Sequence, residues 1–138
     1  MMDVAHGGAP MRWGRKVALG MVVTWFLVGG IAHFLLVDAF VSVVPPSLPQ
    51  PVLLVYVSGV FEILGAIGVL LPRWRRRAGI GLILLTIAVT PANVYMWQHP
   101  DLFPVVSPTF LTIRLWLQLA LIACIAWSTW PAHGYRRA

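Results

Sequence analysis

Among the polar side chains within otherwise apolar stretches of the chain, six carry the chemistry of interest: His33, Ser58, Glu62, Asn93, Arg114 and Gln118. Polar and ionisable groups at membrane depth are costly, so their default reading is functional. Glu62 has the chemistry to accept or relay a proton and His33 to act as acid, base or hydrogen-bond partner, which makes them the candidate catalytic residues. Arg114, Asn93, Ser58 and Gln118 carry donors suited to a carbonyl oxygen and are the candidate substrate-binding residues. Each also has a structural reading. Glu62 can pair with Arg114, Asn93 can repair a helix break at Pro91, Arg114 can snorkel to the headgroups, and Gln118 can join helices.

The elements that must position these groups follow from composition. Of 138 residues, 59% are hydrophobic and 10% charged, and the mean hydropathy is +0.84. Soluble domains carry about 25% charged residues, and a chain this short cannot hide so much apolar surface from water. Four apolar segments, 17–37, 51–71, 78–98 and 110–130, each approach the ~20 residues that cross a hydrocarbon core about 30 Å thick. In lipid the backbone must satisfy its own polar groups, which these segments do as helices. The first segment is long, contains Trp25 and His33 and lacks a small-x-small cleavage site, so it is expected to be retained rather than removed as a signal peptide. The expected fold is an all-α integral membrane four-helix bundle, antiparallel, with 1–138 as a single domain.

Charge sets the expected orientation. Arg12, Arg15 and Lys16 precede the first segment, Arg73, Arg75, Arg76 and Arg77 fill the turn after the second, and Arg136 and Arg137 follow the fourth. The loops 38–50 and 99–109 contain no Lys or Arg. The positive-inside rule therefore places both termini and the arginine-rich turn in the cytoplasm. The formal charge of +6 lies at segment ends, which favours anionic headgroups over nucleic acid as its partner. Pro45, Pro46, Pro49 and Pro51 in one outer loop, and Pro100, Pro104 and Pro108 in the other, predict stiff, extended lids. Trp13, Trp74, Trp130 and Tyr135 suit an inner aromatic belt, Tyr95 and Trp97 an outer one.

With this threading, His33, Asn93 and Arg114 fall ~6–8 Å below the outer boundary, Ser58 and Gln118 ~10–12 Å, and Glu62 ~16 Å, at the helical rise per residue. Helical spacing puts Ser58, Glu62, Gly65 and Ala66 on one face, Thr86, Thr90, Asn93 and Trp97 on another, and makes Arg114 and Gln118 neighbours. Gly29, one turn before His33, allows close helix approach. Pro91 removes a donor and predicts a kink one turn below Asn93. The expectation is one occluded site of His33, Glu62, Asn93 and Arg114, with Ser58 and Gln118 at its edge.

Other chemistries lack their residues. Cys124 is the only cysteine, so no intramolecular disulfide cycle is available. His6, His99 and His133 lie outside the apolar segments, and no HxxxH or Cys/His ligand spacing occurs, so no metal site is expected. There is no phosphate-binding glycine loop, nucleophile elbow or covalent haem motif.

The stretch Gly30–Ile31–Ala32–His33–Phe34, the loop reaching Val44–Pro45, the run Val55–Tyr56–Val57–Ser58–Gly59–Val60–Phe61–Glu62 with Gly65 following, Thr90–Pro91–Ala92–Asn93–Val94–Tyr95–Met96, and Arg114 to Gln118 together resemble the DoxX-like membrane proteins. The resemblance covers nearly the whole apolar region, in order. It implies a four-helix bundle in a prokaryotic cytoplasmic membrane. It also implies association with membrane redox, sulfur or thiol-stress systems, the name-giving relatives being subunits of a thiosulfate:quinone oxidoreductase. Cysteine-pair chemistry of the distant vitamin K epoxide reductase-like enzymes does not carry over, because the pairs are missing.

The reading that results is a membrane subunit of a quinone-linked or sulfur- and thiol-related oxidoreductase system. Its pocket between the helices would hold a quinone head group or a small substrate, with Arg114, Asn93 or His33 on carbonyl oxygens and Glu62 handling protons. The chain has no electron carrier of its own, so the quinone or a membrane partner subunit supplies the redox chemistry. The alternative is a noncatalytic bundle, alone or as a homo-oligomer, that assembles or stabilises partner membrane proteins. No nucleic acid partner is expected.

Overall fold

The computed structural model describes residues 11–130. His6, His133, Tyr135, Arg136 and Arg137 lie outside the described residues. Those described are mainly helical, joined by turns, and include four spans, Trp13–Leu35, Pro51–Leu70, Arg75–Gln98 and Pro108–Thr129, each long and apolar enough to cross a membrane.

The first helix, α1 (Trp13–Leu35), starts four residues before the apolar segment. A helix need not stop where the apolar run stops, and Arg15 and Lys16 lie in its first turn. At Leu36 the backbone leaves the helical region (φ −125, ψ 42), and a short helix, α2 (Val37–Ser42), follows. This corrects the extended lid expected over 38–50. Turns carry the loop's backbone bonds, with Val44 N–H on Val41 O and Leu48 N–H on Pro45 O. Proline's fixed φ suits such turns as well as it suits extended chain.

The second span is α3 (Pro51–Leu70). Gln50 before it takes left-handed backbone, φ 53 and ψ 57, where the ring of Pro51 already disfavours right-handed helix. The third span is two helices, α4 (Arg75–Ala88) and α5 (Thr90–Gln98), separated at Val89. Pro91 sits in the first turn of α5, where a missing N–H costs nothing; this is the predicted kink. After a 3-10 turn at Pro100–Leu102, which replaces part of the second expected lid, α6 (Pro108–Thr129) begins with the Ser107 hydroxyl accepting from Phe110 N–H.

Contacts bring the start of α1, the end of α3, the start of α4 and the end of α6 to one end of the bundle. Arg15 Nε donates to Trp127 O at 3.2 Å, Arg76 lies 5.7 Å over the Trp130 ring, and Gly68 and Gly79 lie directly against Ala78 and Thr129. The apolar core occupies the half nearest this end, where Leu19, Val22 and Phe26 of α1 meet Ala66 and Val69 of α3, Leu82 of α4 and Ile125 of α6. Large apolar side chains such as Trp25, Leu64, Leu84 and Trp116 face outward. Such a surface suits lipid tails.

Candidate functional site

The polar residues occupy the half of the bundle away from the core, in two groups. The first lies between α1 and α3. His33 is 8% exposed, and its Nδ1 is 2.9 Å from Gly29 O and 3.8 Å from Glu62 Oε2. A carbonyl only accepts, so Nδ1 carries the hydrogen and Nε2 is the nitrogen left for other work. The imidazole stacks on Phe40 of α2, with ring centres 4.0 Å apart.

Glycines create this arrangement. A Cβ on Gly29 would stand 2.8 Å from Glu62 Oε2, one on Gly30 would meet Gly59 O at 2.9 Å, and one on Gly59 would meet His33 Cβ at 2.7 Å. As α1 advances from Gly29 to His33, its neighbours on α3 go back from Glu62 to Gly59. Helical side chains lean toward their own N-terminus. The two side chains therefore lean toward one another, which closes the ~8–10 Å difference in their expected depths at the helical rise.

The second group joins α4, α5 and α6. Arg114 Nη2 donates to Asn93 Oδ1 at 2.8 Å and Nη1 to Met96 Sδ at 3.0 Å. Asn93 Nδ2 donates to Gln118 Oε1 at 2.6 Å. Gln118 Nε2 then donates to Thr86 O at 2.9 Å and to the Thr90 hydroxyl, which itself donates to Thr86 O at 3.2 Å. The relay thus ends on the Thr86 carbonyl in the last turn of α4, where backbone acceptors need partners from elsewhere.

Glu62 and Arg114 are not paired with each other. The basic side chain beside Glu62 is His33, whose Nδ1 lies 3.8 Å from Oε2, and among the described residues no carboxylate pairs with Arg114. Likewise no hydrogen bond or ion pair among them connects the α1–α3 group with the α5–α6 group. Gln118, expected at the edge, is the centre of its network, whereas Ser58 is half-buried one turn before Glu62 and outside both relays. Among the described residues no three of His, Cys, Asp and Glu converge as metal ligands.

Sequence reading missed Phe40 and Met96. Phe40 falls in the expected loop 38–50, and the six-residue helix presenting it has too few turns to show periodicity. Met96 stands one turn after Asn93 on α5, so spacing offered it, but a thioether carries no polar signature.

A family model described as Domain of unknown function (DUF8561) matches residues 22–130. The chain belongs to this family. All of the candidate residues, from His33 to Gln118, fall within the DUF8561 stretch. No curated protein and no solved structure matches the chain.

Proposed function

We propose that the protein is a membrane subunit of an oxidoreductase system of the DoxX-like kind, linked to quinone or to sulfur and thiol chemistry. It holds a quinone head group or small substrate between the helices of the polar half. The bundle is antiparallel and lies in a prokaryotic cytoplasmic membrane, with both termini and Arg73–Arg77 inside. The observation that carries the reading is Arg114. A guanidinium within a membrane span spends one N–H on an amide oxygen and another on a thioether, and a thioether is a weak acceptor. A carbonyl oxygen of a ligand is a better partner for that donor than Met96 Sδ.

In this reading Arg114 and Asn93 bind and orient the carbonyl, and Ser58 and Gln118 line the approach. Glu62, held beside the His33 ring, accepts or hands on the proton, and electrons come from a membrane partner. Protein extracted gently from its own membrane should carry quinone visible by native mass spectrometry. Arg114→Gln should lose the quinone and Glu62→Gln its turnover, both keeping wild-type helicity. Retention of quinone by Arg114→Gln, or full turnover by Glu62→Gln, would sink the assignment.

A second reading is a noncatalytic bundle that assembles or stabilises partner membrane proteins. It is favoured by the way Gln118 closes the α5–α6 network on the interrupted backbone of α4. A stoichiometric protein partner without any small ligand in the same spectrum would select it. Orientation has its own test in a Cys124→Ser background. Cysteine at Ser42 or Ser107 should react with impermeant reagent from outside, and cysteine at Trp74 should not; the reverse pattern would invert the bundle.

A further inference from the structure

The end of the bundle where α1 begins carries a charge distribution that neither polar group uses. Arg12, Arg15, Lys16, Arg73, Arg75, Arg76 and Arg77 lie at the start of α1, the α3–α4 turn and the start of α4. Contacts with Trp127 and Thr129 of α6 and with Trp130 just after it tie these segments together. The acidic residues of the described chain are elsewhere: Asp38 in α2, Glu62 within α3 and Asp101 in the 3-10 turn. Seven cations thus share one face with no carboxylate among the described residues to neutralise them.

Internal contacts account for only part of this charge. Arg75 Nε donates to Val69 O at 2.8 Å and its Nη2 to Leu70 O at 3.3 Å, so this arginine caps the last carbonyls of α3. Arg15 uses Nε on Trp127 O. Arg76 and Arg77 instead lie over indoles, 5.7 Å from Trp130 and 5.5 Å from Trp74. An indole face attracts a guanidinium without occupying its in-plane donors, which stay directed at solvent or an anion. Trp74 is half exposed, and such indoles sit at the headgroup level of a bilayer. Between the end of the apolar surface and bulk water, the anion within reach at that depth is a lipid phosphate.

We infer that this face, centred on Arg73, Arg76 and Arg77 with Trp74 and Trp130, is a docking surface for anionic glycerophospholipid headgroups. Guanidinium forks pair with phosphodiester oxygens bidentately. The indoles hold two of the forks in place, so less side-chain freedom is lost on binding. The inference is independent of what the polar half binds.

The test uses the full chain in nanodiscs of phosphatidylcholine alone and of phosphatidylcholine mixed equally with phosphatidylglycerol. Lipid retained after partial stripping is counted by native mass spectrometry, and thermal unfolding is followed in parallel. Wild type should keep phosphatidylglycerol over phosphatidylcholine by on the order of tenfold and unfold at higher temperature in the mixed discs. The variant Arg73→Gln/Arg76→Gln/Arg77→Gln, which leaves the Arg75 cap in place, should lose both effects. Unchanged helicity in phosphatidylcholine would show that it folds. Should the triple variant fail to fold, Arg73→Gln alone, exposed and distant from the core, should lower the preference several-fold. Equal retention of the two lipids by wild type, or an undiminished preference in a folded variant, overturns the inference. So does stabilisation of detergent-solubilised protein by inorganic phosphate or a short oligonucleotide to the extent given by phosphatidylglycerol, since the face would then be a site for soluble anions.

Discussion

The two polar groups sit in the same half of the bundle and are built on opposite principles. Between α1 and α3, backbone approach comes first: Gly29, Gly30 and Gly59 let the helices close, and His33 and Glu62 are brought together as a result. Between α5 and α6, side-chain bonding comes first. Pro91 interrupts the helix, and Gln118, Asn93 and Arg114 supply the bonds around the interruption. A close-packed seam has no slack for added atoms, whereas a hydrogen-bonded relay tolerates shape change and fails when a donor is lost.

The largest effect should come from breaking the seam. Gly30→Leu places atoms where Gly59 O and Ile63 stand at 2.9 and 2.8 Å, and the backbone oxygen cannot step aside. Overpacking of this kind costs about 3 kcal/mol. Unfolding in a denaturing detergent should show a loss of that size, together with separation of probes on α1 and α3. Gly20→Ala, with open space around the new Cβ, should leave the same curve in place. If both variants behave alike, the seam is not what orders α1 against α3.

A smaller loss is expected from the relay. Gln118→Leu leaves the Asn93 amide, Thr90 hydroxyl and Thr86 carbonyl short of a partner, and hydrogen bonds inside membranes contribute about 0.6 kcal/mol each, up to about 1.7. The variant should therefore lose about 1–2 kcal/mol in the same assay, with the α1–α3 probes unmoved. Combining it with Asn93→Leu should cost less than the sum of the single changes, because both act on one network. Full additivity would separate the two residues.

Cys124→Ala should do least. Its thiol lies 3.9 Å from Ala18 O, a weak contact, and it stands in neither polar group. Stability should change by less than about 1 kcal/mol and ligand retention not at all. Lost retention in a normally folded variant would bring back thiol chemistry, through a partner's cysteine.

Much of this was legible in the chain. Hydrophobic runs gave four spans whose ends moved by only a few residues, since charged and capping residues extend helices past the apolar boundary. Pro91 fixed the interruption of the third span, and helical spacing put Thr86, Thr90 and Asn93 on the face that meets α6. Depth along the helices put His33, Asn93 and Arg114 at one level; Arg114 and Asn93 bond, whereas His33 stands beside Glu62. The proline-rich loops were misjudged, because proline's φ serves a turn and an extended chain equally.

Sequence periodicity thus determined which polar groups fall within the spans, how far along each helix they stand and which face of it they share, because rise and twist per residue are properties of one helix. It could not determine their partners. Whether Glu62 meets His33 or Arg114 depends on which helices are lateral neighbours and on how closely a few glycines let them approach. Pairing is decided within a few ångströms, and only the tertiary packing of α1 on α3 and of α5 on α6 resolves distances that small.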